Sequence, residues 1–129
     1  MTYRYSVAVR NAKLDAIETA IGASAVLKIF SGAEPANCAA ADPAGLLVTI
    51  NLPADWMAAA AAGSKGLAGS WAGTASGAGT AQCFRIYDTS GAACGIQGGI
   101  PADMTLNNTS IAVGQAVSVS TFNITQGNA

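Results

Sequence analysis

Histidine is absent from this chain, and ionisable side chains of any kind are scarce: six Lys and Arg and seven Asp and Glu make up 10% of its 129 residues. An ordinary soluble domain carries roughly 25%. Without imidazole the commonest general base at neutral pH is missing, and a Ser or Cys nucleophile has no partner to take its proton. The acids Asp15 and Glu18 lie on successive turns of a helical segment, while Glu34, Asp42, Asp55, Asp88 and Asp103 fall at turns and strand edges, where carboxylates cap and bend chains. No G-x-S-x-G occurs, and the glycine-rich GIQGG at 95–99 runs into Ile100 and Pro101 instead of GK[ST], so it reads as bends in a strand and not as a phosphate cradle. The expectation is a protein with no catalytic residues, no bound metal and no cofactor.

Other absences narrow the class further. The basic residues Arg4, Arg10, Lys13, Lys28, Lys65 and Arg85 form no cluster able to neutralise a run of phosphates, so nucleic acid is not the expected partner. Charges interrupt every apolar run of MTYRYSVAVRNAKLD, and neither a secretory core nor a membrane span can be drawn, which places the chain in a cytoplasm or in something assembled there. The cysteines, Cys38, Cys83 and Cys94, include no CxxC, and a zinc site lacks a fourth ligand. They read as buried thiols. A hairpin over 82–97 would set Cys83 and Cys94 diagonally on one face, which is compatible with a disulfide without requiring one.

What the chain does have is alternation. In TYRYSVAV, residues 2–9, Tyr3, Tyr5, Val7 and Val9 alternate with small or polar residues, the pattern of an extended strand, and residues 1–10 read as an N-terminal arm. From Asn11 to Gly22 the period lengthens: Leu14, Ile17 and Ile21 share a helical face, Asp15 and Glu18 the outer one, with Asn11 or Ser6 as the start and Gly22 as the stop. Strands follow at 25–30 and 46–52, and 81–88 and 92–100 flank a Thr89-Ser90-Gly91 turn, with Phe84 and Ile86 facing one way and Arg85 and Tyr87 the other. In the last quarter, Val117 and Val119 stand on the opposite parity from Phe122 and Ile124, so the final strand needs a bulge near Ser120 or a change of face. The fold class expected is mainly β, an antiparallel β-sandwich of jelly-roll or immunoglobulin-like type with one short N-terminal helix, residues 11–129 forming a single domain.

One stretch resists this pattern. AAAAAGSKGLAGSWAGTASGAGTA, residues 58–81, has Lys65, Leu67, Trp71 and a few hydroxyls among Ala and Gly. After Pro53, the run from Ala54 to Ala62 suits a short helix ended by Gly63; beyond Lys65 the glycines permit only narrow strands. With no proline and almost no charge, the segment reads as a surface that packs closely, with another subunit as one candidate partner. Trp56 reads as core, and Trp71 is poised between core and interface. The residues that carry the interface reading are Tyr3, Tyr5 and Val7 on the arm, with strand addition as its mode, together with Leu67 and Trp71. An aromatic sugar-binding face lined by Trp56, Trp71, Tyr3, Tyr5 and Tyr87 is the competing reading.

VAVRNAKLDAIETAIGASAVLKIFSG, ANCAAADPAGLLVTINLPADWM, FRIYDTSG and DMTLNNTSIAVGQAVSVSTFNITQGNA together resemble a family of small virion proteins of tailed bacteriophages, from about residue 6 onwards. The resemblance implies a non-enzymatic particle component: a capsid decoration or cement protein whose partner is the major capsid protein and which self-associates as a dimer or trimer on the capsid surface. A tail, baseplate or fibre-associated subunit is the alternative within the same class.

Overall fold

The alternating stretches of the sequence become strands, and the computed structural model, which describes residues 4–125, is mainly β. Helix α1 covers Val7–Ile21. After it come β1 (Val26–Phe30), β2 (Leu46–Asn51), β3 (Ser64–Gly66), β4 (Ala72–Thr74), β5 (Gly79–Thr80), β6 (Cys83–Tyr87), β7 (Cys94–Gly99), β8 (Met104–Leu106), β9 (Ser110–Ile111) and β10 (Ala116–Thr125). Every named pairing is antiparallel. One sheet has the order β2-β1-β6-β7; in the other, β10 pairs with β3, β4 and β8 along its length, and β5 and β9 make a separate two-stranded pair.

The arrangement is sandwich-like because one apolar cluster draws on both sheets. Leu27, Ile29, Val48, Ile50, Phe84 and Ile86 from the first meet Met104, Leu106, Val117, Val119 and Phe122 from the second. A chain of aromatic rings runs through it: Trp56 to Trp71 at 5.9 Å, Trp71 to Phe122 at 5.6 Å, and Phe122 edge-on to Phe84 at 5.4 Å. Such tilted and edge-to-face pairs add to what area burial alone contributes. The parity change in the last strand is met by a bulge: Val119 stands opposite Leu106 and Thr121 opposite Thr105, leaving Ser120 as the extra residue. Val117, Val119 and Phe122 are therefore all buried although their spacing is not even.

Two expectations are corrected. Residues 7–9 are not strand but the first turn of α1, for Ser6 in extended conformation accepts a hydrogen bond from the Val9 amide and caps the helix. Four apolar-polar alternations also fit a helix, and here a cap decides between the two periods. The Ala54–Ala62 run is not helical either. The Ala61 and Ser64 backbones bond reciprocally around Ala62 and Gly63, both at positive φ (52° and 74°), which makes a two-residue hairpin leading into β3. Alanine's helix preference, a few tenths of a kcal/mol per residue against most others, is outweighed by the partners that this segment's amides find on α1.

The small residues of 58–81 are used for close packing inside the chain. A Cβ placed on Gly77 would lie 2.4 Å from the Leu46 carbonyl oxygen, and one on Gly73 would press on Ile50 at 3.0 Å. The Ser76 and Gly77 amides both donate to the Leu47 carbonyl, at 2.8 and 3.0 Å. Residues 73–77 thus lie directly on β2, so the close packing expected of this segment is made, at these positions, with the chain's own sheet.

Gly77→Ala is expected to lower unfolding free energy by about 1–3 kcal/mol, since backbone must move to admit the methyl group. Ala62→Asn is expected to raise it by roughly 0.5–1 kcal/mol, because asparagine tolerates the left-handed conformation better. Denaturant midpoints at unchanged m-value check both.

Candidate interaction surface

Helix α1 is held by one apolar stripe and one polar one. Leu14 is fully buried, and Ile17 and Ile21 are half-buried beside it. The polar stripe bonds to the hairpin that replaces the expected second helix. Asn11 Oδ1 accepts from the Gly63 amide at 3.0 Å, Asp15 Oδ1 from Ala60 at 3.1 Å, and Glu18 Oε2 from Met57 at 3.4 Å. At the centre lies Lys65, 1% exposed. Its Nζ donates to Asp15 Oδ1 at 2.7 Å and to the Ala58 carbonyl at 2.8 Å, and sits 2.9 Å from Glu18 Oε1. Burial alone would lower the lysine's pKa; the bonds to Asp15 and Glu18 outweigh it and the net shift is upward. The same lysine bond, with the Ala60 amide, holds the Asp15 carboxyl below its usual range. Asp15 and Glu18, expected on a free outer face, are instead the jaws of this clamp.

Val7 is 47% exposed, Val9 44% and Tyr5 38%. Val7 continues the helix face of Leu14 and Ile21 at seven-residue spacing, so the buried stripe runs on past the edge of the core into solvent. Lys13 places its Nζ 4.1 Å from the centre of the Tyr5 ring, which holds that ring against the helix by a cation–π contact. Tyr5, Val7 and Val9 are thus exposed apolar residues at the start of a helix anchored by Lys65, Tyr5 before the N-cap and Val7 and Val9 on opposite sides of the first turn.

The other residues read as interface are placed elsewhere. Tyr3 lies outside the described residues. Leu67 is half-buried, bridged to Met57 and packed on the core. Trp71 is 1% exposed, between Trp56 and Phe122, with its indole N–H shared by the Trp56 and Ala68 carbonyls at 3.0 and 3.1 Å. Its polar atom is satisfied within the chain, so Trp71 is a core residue and not a contact. Trp56 is likewise buried and donates to the Gly22 carbonyl at 2.8 Å. Neither tryptophan is available as a sugar platform.

The outer face of the first sheet carries most of the remaining polar chemistry, and residues 31–45 cover it. Arg85, 2% exposed, donates through Nη1 to Asp42 at 2.9 Å, through Nη2 to the Asn37 carbonyl at 3.0 Å, and through Nε and Nη2 to Gln97 Oε1. Tyr87 donates its hydroxyl to the same Asp42 oxygen, and Lys28 lies 4.8 Å from the Tyr87 ring centre. That hydroxyl, then Arg85, keep Asp42 below the usual carboxylate range, while burial first and Asp42 second push Tyr87 up. Every donor of the guanidinium group named here has its acceptor, which is the state of a structural hub. Asp88 meanwhile accepts from the Ser90 amide and hydroxyl in the hairpin turn, and Asp103 from the Gly99 amide at 2.9 Å. These carboxylates serve different partners, and among the described residues no three His, Cys, Asp or Glu side chains cluster as metal ligands.

Cys83 and Cys94 do not approach each other: Cys83 stands opposite Gly99 and Cys94 opposite Tyr87, at the two ends of the β6–β7 hairpin. Burial pushes the Cys83 thiol up, and it donates to the Gly32 carbonyl at 3.4 Å. Nothing in the spacing of the sequence marks Lys65 as the anchor or Arg85 as a hub. The one legible sign was that each is a lone cation in an uncharged stretch.

No family model, curated protein or solved structure matches the chain.

Lys65→Met is expected to lower stability by about 1–3 kcal/mol, because the Ala58 carbonyl and two carboxylates lose their donor. Asp15's depressed pKa contributes stability that is present at neutral pH and lost as pH falls below about 4. Lys65's raised pKa contributes stability that is present at neutral pH and lost only as pH rises above about 10. Asp15→Asn should therefore flatten the acid limb of a stability–pH curve measured by thermal melts and leave the Arg85 hub intact.

Proposed function

We propose that the chain is a non-enzymatic structural protein of a tailed bacteriophage virion, acting as a capsid decoration protein that bridges major capsid subunits. The observation that carries this reading is the exposure of Tyr5, Val7 and Val9 at the start of α1, a helix clamped to the body by Lys65. A contact residue is worth most when it is already ordered, since less conformational entropy is lost on docking. The low content of charge, −1 net, agrees with a surface that meets protein. The sequence resemblance supplies the setting, and the docking element is a helix end in place of the strand arm.

On this reading each copy needs only modest affinity, because many symmetry-related copies act together on one shell. Self-association as a dimer or trimer would match the local axes of such a lattice. A tail, baseplate or fibre-associated subunit differs in stoichiometry: a decoration protein is present in hundreds of copies per particle and a tail part in few. Counting copies by quantitative mass spectrometry of intact particles and of tail-less heads separates them.

Val7→Glu is the variant to use. A carboxylate in the first turn suits the helix dipole, so folding should be preserved. Burying a valine is worth about 1.5–3 kcal/mol, and replacing it with a charge should weaken co-sedimentation with undecorated heads by about tenfold or more. Unchanged binding by a variant with an unchanged melting temperature overturns the proposed docking element. Wild-type protein absent from heads overturns the decoration role.

A further inference from the structure

Two of the three cysteines, fifty-six residues apart in sequence, are neighbours in space. The Cys94 sulfur lies 3.1 Å from the Cys38 sulfur and 3.4 Å from the Ile96 carbonyl oxygen. Cys38 belongs to the segment that covers the outer face of the first sheet; Cys94 sits at the irregularity in β7 where the register shifts between Ile86 and Tyr87. Both side chains are partly exposed, in contrast to the buried Cys83. The segment bearing Cys38 is already fixed nearby: the Asn37 side chain accepts from the Ala39 and Ala40 amides, the Asn37 carbonyl receives Arg85, and Gln97 donates to the Pro35 carbonyl at 2.6 Å. Two of these bonds, from Arg85 of β6 and Gln97 of β7, tie the segment to the sheet without involving sulfur and so hold the two thiols side by side.

We infer that Cys38 and Cys94 form an oxidisable dithiol pair, a disulfide site that ties the covering segment 31–45 to β7. A disulfide needs its sulfurs about 2.05 Å apart, so closure asks for a movement of about 1 Å in two side chains, one of them on a loop. The bond would act where the sheet is weakest, because β7 is the last strand in the order β2-β1-β6-β7. It would also close a long loop of chain, the situation in which a cross-link restricts the unfolded state most.

The chemistry balances with a small-molecule disulfide as oxidant, such as oxidised glutathione. One protein thiolate attacks a glutathione sulfur, forming a mixed disulfide and releasing one glutathione thiolate. The second protein thiolate then attacks the protein sulfur of that mixed disulfide and expels the second glutathione. Two protein thiols are oxidised, one disulfide is reduced to two thiols, and the two protons pass to the released thiolates. Desolvation, then the hydrogen bond to Cys38, push the Cys94 thiol up to about 12. The pair should accordingly close slowly at neutral pH and faster in mild alkali. Such a bond persists in oxidising surroundings and is scarce in a reducing cytoplasm. The inference stands on the thiol geometry and does not depend on the virion reading.

The test is incubation of the full chain with oxidised glutathione in mildly alkaline buffer, followed by thiol titration under denaturing conditions and a non-reduced peptide map. One free thiol per chain, a mass lower by two hydrogens, a linked Cys38–Cys94 peptide pair and a melting temperature raised by several degrees are expected. Cys83→Ser should close in the same way and leave no free thiol, whereas Cys38→Ser should retain two thiols or stop at a glutathione adduct. Three free thiols in the treated wild type, a stable adduct without ring closure, a bridge to Cys83, or chains linked to each other would each overturn the inference.

Discussion

The contact on which the rest of this molecule depends is the Trp56–Trp71 pair, with rings 5.9 Å apart and both indole N–H groups satisfied by backbone. Trp56 reaches the Gly22 carbonyl just beyond the end of α1; Trp71 touches Phe122 of β10, which meets Phe84 of β6. A single chain of rings thus joins the helix end, the glycine-rich segment and both sheets. Buried indoles are tolerated only when their donors are paired. Here the acceptors are the Gly22 carbonyl and those of Trp56 and Ala68, all outside the regular strands and helix.

Around that spine, two lone cations do the work that a more highly charged protein spreads over its surface. Lys65 joins α1 to the hairpin at 57–67, and Arg85 joins the segment 31–45 to the first sheet. Each is almost wholly buried and each has carboxylate and carbonyl acceptors. Buried ion pairs are a poor source of net stability but a strong selector of one arrangement over others, as a misplaced partner leaves a charge without compensation. In a chain with 13 charged residues, this commits Lys65 and Arg85 to the interior and engages Asp15, Glu18 and Asp42, which keep part of their surface in solvent, as their partners. The surface is poor in charge because the chain holds few charges at all, and this is the property that the functional reading draws on.

The strands were legible because their two-residue period is local. The stretches 25–30, 46–52, 81–88 and 92–100 needed no knowledge of distant residues, and the bulge at Ser120 followed from a parity conflict within a single strand. The start of α1 was ambiguous because Tyr5, Val7 and Val9 alternate, and only Ser6 as a cap decides for helix. The alanine run misled for a different reason. Its amides are claimed by Asp15, Glu18 and Asn11, residues some forty to fifty positions earlier, and no local rule sees such a partner. The interface residues divided along the same line: Tyr5 and Val7 are exposed, whereas Trp71 and Leu67 were drawn inward by contacts with Trp56, Phe122 and Met57.

The low-complexity look of residues 58–81 conceals a close fit against β2 at two of its glycines. With the Leu46 carbonyl oxygen against Gly77 and Ile50 against Gly73, these two positions have no room for a further carbon atom, so their plainness is imposed by their neighbours. Descendants of this chain should therefore vary at exposed positions of the stretch such as Ala59 and Ala78, while Gly73 and Gly77 stay glycine for want of space and Gly91 and Gly114 for their positive φ. At Gly73 and Gly77, sequence simplicity is a record of spatial constraint.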